Sequence, residues 1–289
     1  MTDNVSRGTA LPRPVQTRVL TVANQKGGVG KTTTAVNLAG ALAQGGLSVL
    51  VIDLDPQGNA STALDVPHSA DVEDIYRVIV DGVPLAEVVK QVAHTPNLWC
   101  APASINAAGA EVLLASALAR EFRLQRALKK YLLDHEAIHG RRLDYVIIDC
   151  PPSLGLLTVN AFVATDEILV PIQCEYYALE GVSQLTKTIG MIVEALNPAL
   201  YISTILMTMY DGRTRLSIDV VDAVRRSFGD AVLNTLIPRS VRVSEAPGNH
   251  QTVLVYDPSS PGALAYLAAA EEIANRDPHK VSIPEEVTV

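Results

Sequence analysis

Eight consecutive residues, Lys26-Gly27-Gly28-Val29-Gly30-Lys31-Thr32-Thr33, bring together three glycines, two lysines and two hydroxyls. A glycine turn between a strand and a helix lets successive backbone N–H groups point at phosphate oxygens, and the positive end of the helix dipole adds to the attraction. Lys31 is placed to reach the β- and γ-phosphates and the Thr32 hydroxyl to ligate Mg²⁺, as in a G-x-x-x-x-G-K-[ST] loop. The run departs from that pattern at its head, where Gln25 replaces the first glycine and Lys26 adds a second cation. The chemistry expected is Mg²⁺-dependent ATP binding. Hydrolysis of the γ-phosphate would then need only an in-line water, the metal and positive charge on the developing oxygens.

Carboxylates are the second ingredient. Asp149 closes the apolar run YVIID and precedes Cys150-Pro151-Pro152, so its side chain emerges at a strand's C-terminal edge beside the glycine loop, suited to Mg²⁺ through water. Asp53 and Asp55 lie two apart after another apolar run, SVLVID.

The elements that must carry these residues follow from periodicity. Short β-branched runs at Arg18–Ala23, Ser48–Asp53, Asp144–Asp149, Glu167–Ile172 and Tyr201–Met207 are continuously apolar, the mark of a buried parallel sheet. Thr32–Gln44 keeps Ala35, Leu38, Ala39 and Leu42 on one face and stops at Gly45-Gly46, which completes a βαβ unit. Further helices are expected over Ala110–Leu133, Leu179–Leu196, Ser217–Phe228 and Gly262–Arg276. The coherent fold is α/β: a doubly wound, mostly parallel twisted sheet with helices on both faces. At 289 residues with 48% hydrophobic content, one domain over residues 18–276 is expected, with a flexible arm at 1–17 and a tail at 277–289.

KGGVGKTT is similar to the deviant Walker A motif of the ParA/MinD P-loop ATPases. Five later segments in the same order resemble the ParA/Soj chromosome- or plasmid-partitioning group: DLDPQGNAST, IIDCPPSLGLLTVNA, PIQCEYYALEG, MYDGRT and IPRSVRVSEAPG. The resemblance covers roughly residues 18–275. It implies that Asp55 orients the attacking water, with Asp53 supporting the metal shell or the loop. It implies that Lys26 crosses a homodimer interface to the partner's phosphates and that Glu175 meets the partner's ribose, so that ATP is buried in a sandwich dimer. Met207, Thr208, Pro238 and Arg239 would enclose the adenine by apolar contact and backbone hydrogen bonds, with core packing as the rival role for Met207. Arg213 and Arg242, with Arg215 nearby, would bind double-stranded DNA without sequence preference, and a ParB-type centromere-binding protein would stimulate hydrolysis and release.

Composition bears on rival readings. The net charge of −8 means that any DNA contact must come from a local cluster of arginines acting against the overall field. Three cysteines, Cys100, Cys150 and Cys174, without a C-x-x-C pair fit a reducing cytoplasm, where the protein is expected to be nucleoid-associated, and speak against an iron–sulfur carrier. The first seventeen residues lack the apolar stretch of a secretory signal, and no apolar run reaches about eighteen residues. A MinD-like membrane-associated division-site regulator would need a basic amphipathic tail, whereas this chain ends HKVSIPEEVTV, so no stable membrane association is expected. A metabolic phosphotransferase or ligase would use the same loop with a small-molecule acceptor in place of water.

Overall fold

The computed structural model describes residues 10–69, 71–104, 113–176 and 178–276. Seven strands form one sheet in the order β3-β4-β2-β5-β1-β6-β7: β1 Arg18–Val22, β2 Val49–Asp53, β3 Lys90–Gln91, β4 Leu98–Ala101, β5 Tyr145–Asp149, β6 Glu167–Gln173 and β7 Tyr201–Thr208. All neighbours run parallel except β3, which pairs antiparallel with β4 at the edge. The five long strands were legible from their apolar runs. The short β3 and β4 were not.

Among the described residues, the helices of eight or more residues are α1 Lys31–Gln44, α2 Arg123–His139, α3 Leu156–Ala164, α4 Ala178–Ala195, α5 Arg215–Phe228 and α6 Pro261–Asn275. The helix expected over Ala110–Leu133 needs correction. Residues 105–112 lie outside the described residues, a turn at Arg120–Phe122 precedes the helix, and α2 starts only at Arg123 and continues to Gly140, whose left-handed conformation ends it. Ala119, held at φ 49°, is the physical reason the helix cannot run through.

Strand alternation sorts the core into two faces. Val49 and Val51 of β2 with Tyr145 and Ile147 of β5 pack under α1 and α6, while Leu50, Ile52, Val146 and Ile148 pack under α2 and α3. A third cluster under α4 and α5 covers β6 and β7. From β1 the chain crosses over β5 to β2, and from β5 it crosses β1 to β6. The direction of winding therefore reverses around β1 and β5, and the C-terminal edge there is where such folds place ligands.

Of the arm expected at 1–17, residues 1–9 lie outside the described residues, as does the tail 277–289. Residues 10–17 lie against the body: the Leu11 N–H donates to the Gly45 carbonyl at 3.0 Å, and the Thr17 hydroxyl to the Leu143 carbonyl at 2.6 Å.

At the opposite edge from the glycine loop, Arg18 donates to Glu167 through Nε at 2.8 Å and Nη2 at 2.7 Å, and to the Ile273 carbonyl at 2.9 Å. Both side chains are buried, so one residue clamps β1, β6 and α6. Glu167→Ala leaves a guanidinium buried without its counter-charge and is expected to cost about 3–5 kcal/mol of stability. Denaturant unfolding checks this, and a loss below about 1 kcal/mol would show the clamp to be dispensable.

Candidate functional site

β1 delivers the glycine loop to the switch point. Gly28 and Gly30 take φ of 76° and 86°, a left-handed conformation that glycine adopts without penalty, and α1 begins directly after them. Asn24, unassigned from sequence, is buried at the end of β1. Its Nδ2 donates to the Pro171 carbonyl of β6 at 2.8 Å and its Oδ1 accepts the Lys26 N–H at 3.0 Å, so it pins the head of the loop. Its signal in the sequence was the first polar residue between an apolar strand and the glycines. On the other side, the Thr208 hydroxyl donates to the Val29 carbonyl at 2.9 Å and ties the loop to β7.

Three carboxylates converge beside this loop. Asp53 and Asp149 are register partners at the ends of β2 and β5. Asp53 is fully buried and accepts from the Ser61 N–H at 2.8 Å, the Ser61 hydroxyl at 2.7 Å and the Asp55 N–H at 3.2 Å. These bonds fasten the 55–61 loop, so of the two expected roles for Asp53 the loop-holding one has a visible basis. Burial pushes the Asp53 carboxyl up to about 6 despite those donors. Asp55 accepts the Gln57 N–H at 3.0 Å and keeps 8% of its surface exposed.

Asp149 differs in kind. Both its oxygens are buried without a hydrogen-bond partner, and burial, then the neighbouring Asp53 charge, raise it well above the usual carboxylate range. The nearby Thr32 hydroxyl and Lys31 favour the charged form without quenching it. A buried acceptor with no donor is the environment a cation relieves. Among the described residues no three His, Cys, Asp or Glu side chains gather closely enough to hold a metal alone. Mg²⁺ keeps waters and phosphate oxygens and takes one or two protein ligands, so Thr32 and Asp149 are the residues that would hold it.

Lys31 is 7% exposed, and its ammonium donates to the Lys26 carbonyl at 3.1 Å. Burial pulls it below its ordinary range, while Asp149 and Asp55 pull it back up, so all three groups share one electrostatic neighbourhood. Lys26 is more open: its ammonium donates to Glu175 at 2.8 Å, with both side chains over a third exposed. That hydrogen bond is the main reason the Glu175 carboxyl sits below its usual range. The two residues expected to reach across a dimer interface are thus paired with each other within one chain.

The expected adenine contacts separate. Met207 is fully buried under α4 and α5 and its carbonyl accepts the Ile237 N–H at 2.9 Å, so its side chain packs in the core here. The β-period of 2 that puts Thr208 toward the loop turns Met207 inward. Pro238 and Arg239 line up beside Tyr210, with the Arg239 N–H donating to the Tyr210 carbonyl at 3.0 Å. Arg239 also lies near enough to Glu175 to lower its carboxyl.

The expected DNA arginines surface beyond this edge, each in an ion pair. Arg213 forks onto Asp211 at 2.9 and 2.8 Å, Arg215 meets Asp219 at 3.7 Å, and Arg242 meets Glu245 at 3.0 Å and Asp257 at 3.4 Å. A cavity of about 430 Å³ opens beside Thr32 and Thr33, and larger ones lie away from the loop, so its donors identify the site better than its volume. No helix among the described residues is long and apolar enough to cross a membrane.

The chain is similar to several known proteins. A family model described as an AAA domain matches residues 17–202. The chain is 48% identical to the sporulation initiation inhibitor protein Soj of Bacillus subtilis, over 89% of this chain and 98% of that protein. It is 46% identical to the chromosome partitioning protein ParA of Caulobacter vibrioides, over 90% of this chain and 95% of that one. Among solved structures, cobyrinic acid a,c-diamide synthase from Mycobacterium smegmatis with bound ATP analog and magnesium superposes with a TM-score of 0.75 at 37% identity, covering 89% and 94% of the two chains. A deviant glycine loop with two lysines, an unpartnered Asp149 and relatives matched nearly end to end lead to one assignment: the chain belongs to the Soj/ParA family of chromosome-partitioning P-loop ATPases.

Proposed function

We propose that this ATPase works as an ATP-gated dimer that holds double-stranded DNA and lets go after hydrolysis. The observation that carries the reading is Lys26: a second lysine at the head of the phosphate loop, held at the surface by Glu175 and free to trade that partner for a phosphate of another subunit. An exposed pair of this kind is weak, commonly under about 1 kcal/mol, so exchange costs little.

Within one subunit, the loop N–H groups and Lys31 take the phosphates, Thr32 and Asp149 hold Mg²⁺, and Asp55 orients the water. When bound there, Mg²⁺ would supply positive charge to the phosphate oxygens. Pro238 and Arg239 face the base, with Thr208 fixing the loop beneath it. A ParB-type partner would stimulate turnover.

DNA affinity follows from the dimer. Each phosphate contact is weak, but affinity scales with the counterions released, so doubling a patch of Arg213, Arg215 and Arg242 raises binding steeply. Within one subunit each of these arginines already has an acid beside it, so a single patch holds DNA weakly. Arg242→Glu is expected to lose DNA binding while keeping ATP-dependent dimerisation, read by sedimentation with and without duplex; unchanged DNA affinity and salt slope would remove Arg242 from the interface.

The sequence relatives favour partitioning over the division-site reading. The metabolic reading draws on the synthase structure, but that likeness is 37% identical against 46 and 48% for the partitioning relatives. Product analysis separates the two: inorganic phosphate and ADP are expected with no added acceptor.

A further inference from the structure

Away from the nucleotide edge, a cavity of about 560 Å³ lies between α2 and the Val78–Ala86 segment. Its floor is aliphatic, with Val78, Val83, Leu85 and Ala127, and Leu118 stands at its rim 89% exposed. Along one wall α2 presents Arg123, Arg126 and Lys130, and Asp134 follows at the far end. In a chain of net charge −8, three cations against one carboxylate make a local reversal of sign.

Arg126 has no acidic partner among the described residues, and Arg123 reaches only the Val80 carbonyl at 3.5 Å. Lys130 is shared with Asp134 in an exposed contact at 3.3 Å. From Arg123 to Lys130 the helix rises about 10 Å, too long a row for one small anion to span. An extended peptide offers a carboxylate every second residue, about 7 Å apart, with the intervening side chains on its other face. Two or more carboxylates on the α2 wall, with aliphatic side chains on the floor, would match this lining. A nucleic acid would leave the apolar floor uncovered and bring its phosphates against Asp134.

We propose that this groove along α2 docks an acidic, aliphatic-rich peptide segment of a partner protein, at a surface separate from the nucleotide and from Arg213, Arg215 and Arg242. Docking there would leave the ATPase machinery free, so the partner could position the protein without consuming its DNA-binding face.

The probe is a labelled synthetic peptide alternating Glu and Leu, titrated onto the full chain, with the matched Lys-Leu peptide, duplex DNA and phosphatidylglycerol vesicles in parallel. Binding of the Glu-Leu peptide alone is expected, weakened about tenfold or more by Arg126→Glu with Lys130→Glu and by Val83→Asp on the apolar side. Basal ATPase activity, expected unchanged, reports that the variants fold. Equal peptide binding by the charge-reversed protein would overturn the proposal. So would no binding to a protein active as an ATPase, or DNA or vesicle binding that is lost through the same substitutions.

Discussion

Lys31→Ala is expected to abolish measurable binding of Mg²⁺-ATP, a loss of at least about three orders of magnitude in affinity. The argument is electrostatic. Lys31 is the buried cation within reach of both Asp149 and Asp55, and Asp53 adds a third carboxylate behind them. Without the ammonium, an incoming triphosphate would meet a cluster of like charge and lose its charge-assisted donor. Lys26 does not substitute, because it stands over a third exposed at the head of the loop, whereas Lys31 is buried beside the carboxylates. Calorimetry with magnesium present reads the outcome. Affinity within tenfold of the unsubstituted protein would mean that the loop N–H groups suffice and the assigned role of Lys31 is wrong. Unfolding measured without nucleotide serves as the control, since removing a buried charge among carboxylates also shifts stability.

Asp55→Ala is expected to do the opposite to occupancy: ATP still binds, hydrolysis falls by about 10²-fold or more, and the dimer accumulates on DNA. Asp55 is the member of the carboxylate cluster that retains solvent contact while lying near Lys31, which is where a residue that orients water must stand. The informative comparison is Asp53→Ala. Asp53 carries the Ser61 N–H, the Ser61 hydroxyl and the Asp55 N–H on one buried side chain, so its loss is expected to lower stability as well as activity. Single-turnover hydrolysis together with sedimentation distinguishes the two. Normal turnover by the Asp55 variant would hand the water-orienting role to another group.

Legibility in the sequence tracked distance along the chain. The glycine loop and α1 are contiguous, and their motif was readable because each residue acts on neighbours a few positions away. Asp149 was readable because an apolar strand ending in Asp and two prolines fixes where a side chain emerges. The partnership of Lys26 with Glu175 spans 149 positions, and no local pattern announces it. β4 is only LWCA, too short for periodicity to mark as a strand, and it is set by pairing with β2. The place of Met207 was open for a different reason: a strand that ends at a binding edge sends alternate residues to opposite destinations, and the run YISTILM does not reveal which parity faces the core. The break before α2 was hidden because Leu113, Leu114 and Leu118 extend the helical pattern across Ala119, whose backbone departs from it.

The bond from Thr208 to Val29 makes β7 the stalk on which one side of the phosphate loop hangs. Two residues beyond that hydroxyl, Tyr210 is laced to Ile237 and Arg239, and from there the chain reaches Arg213 in one direction and Arg242 in the other. Only a few peptide units therefore separate the anchor of the phosphate cradle from the guanidinium groups on either side.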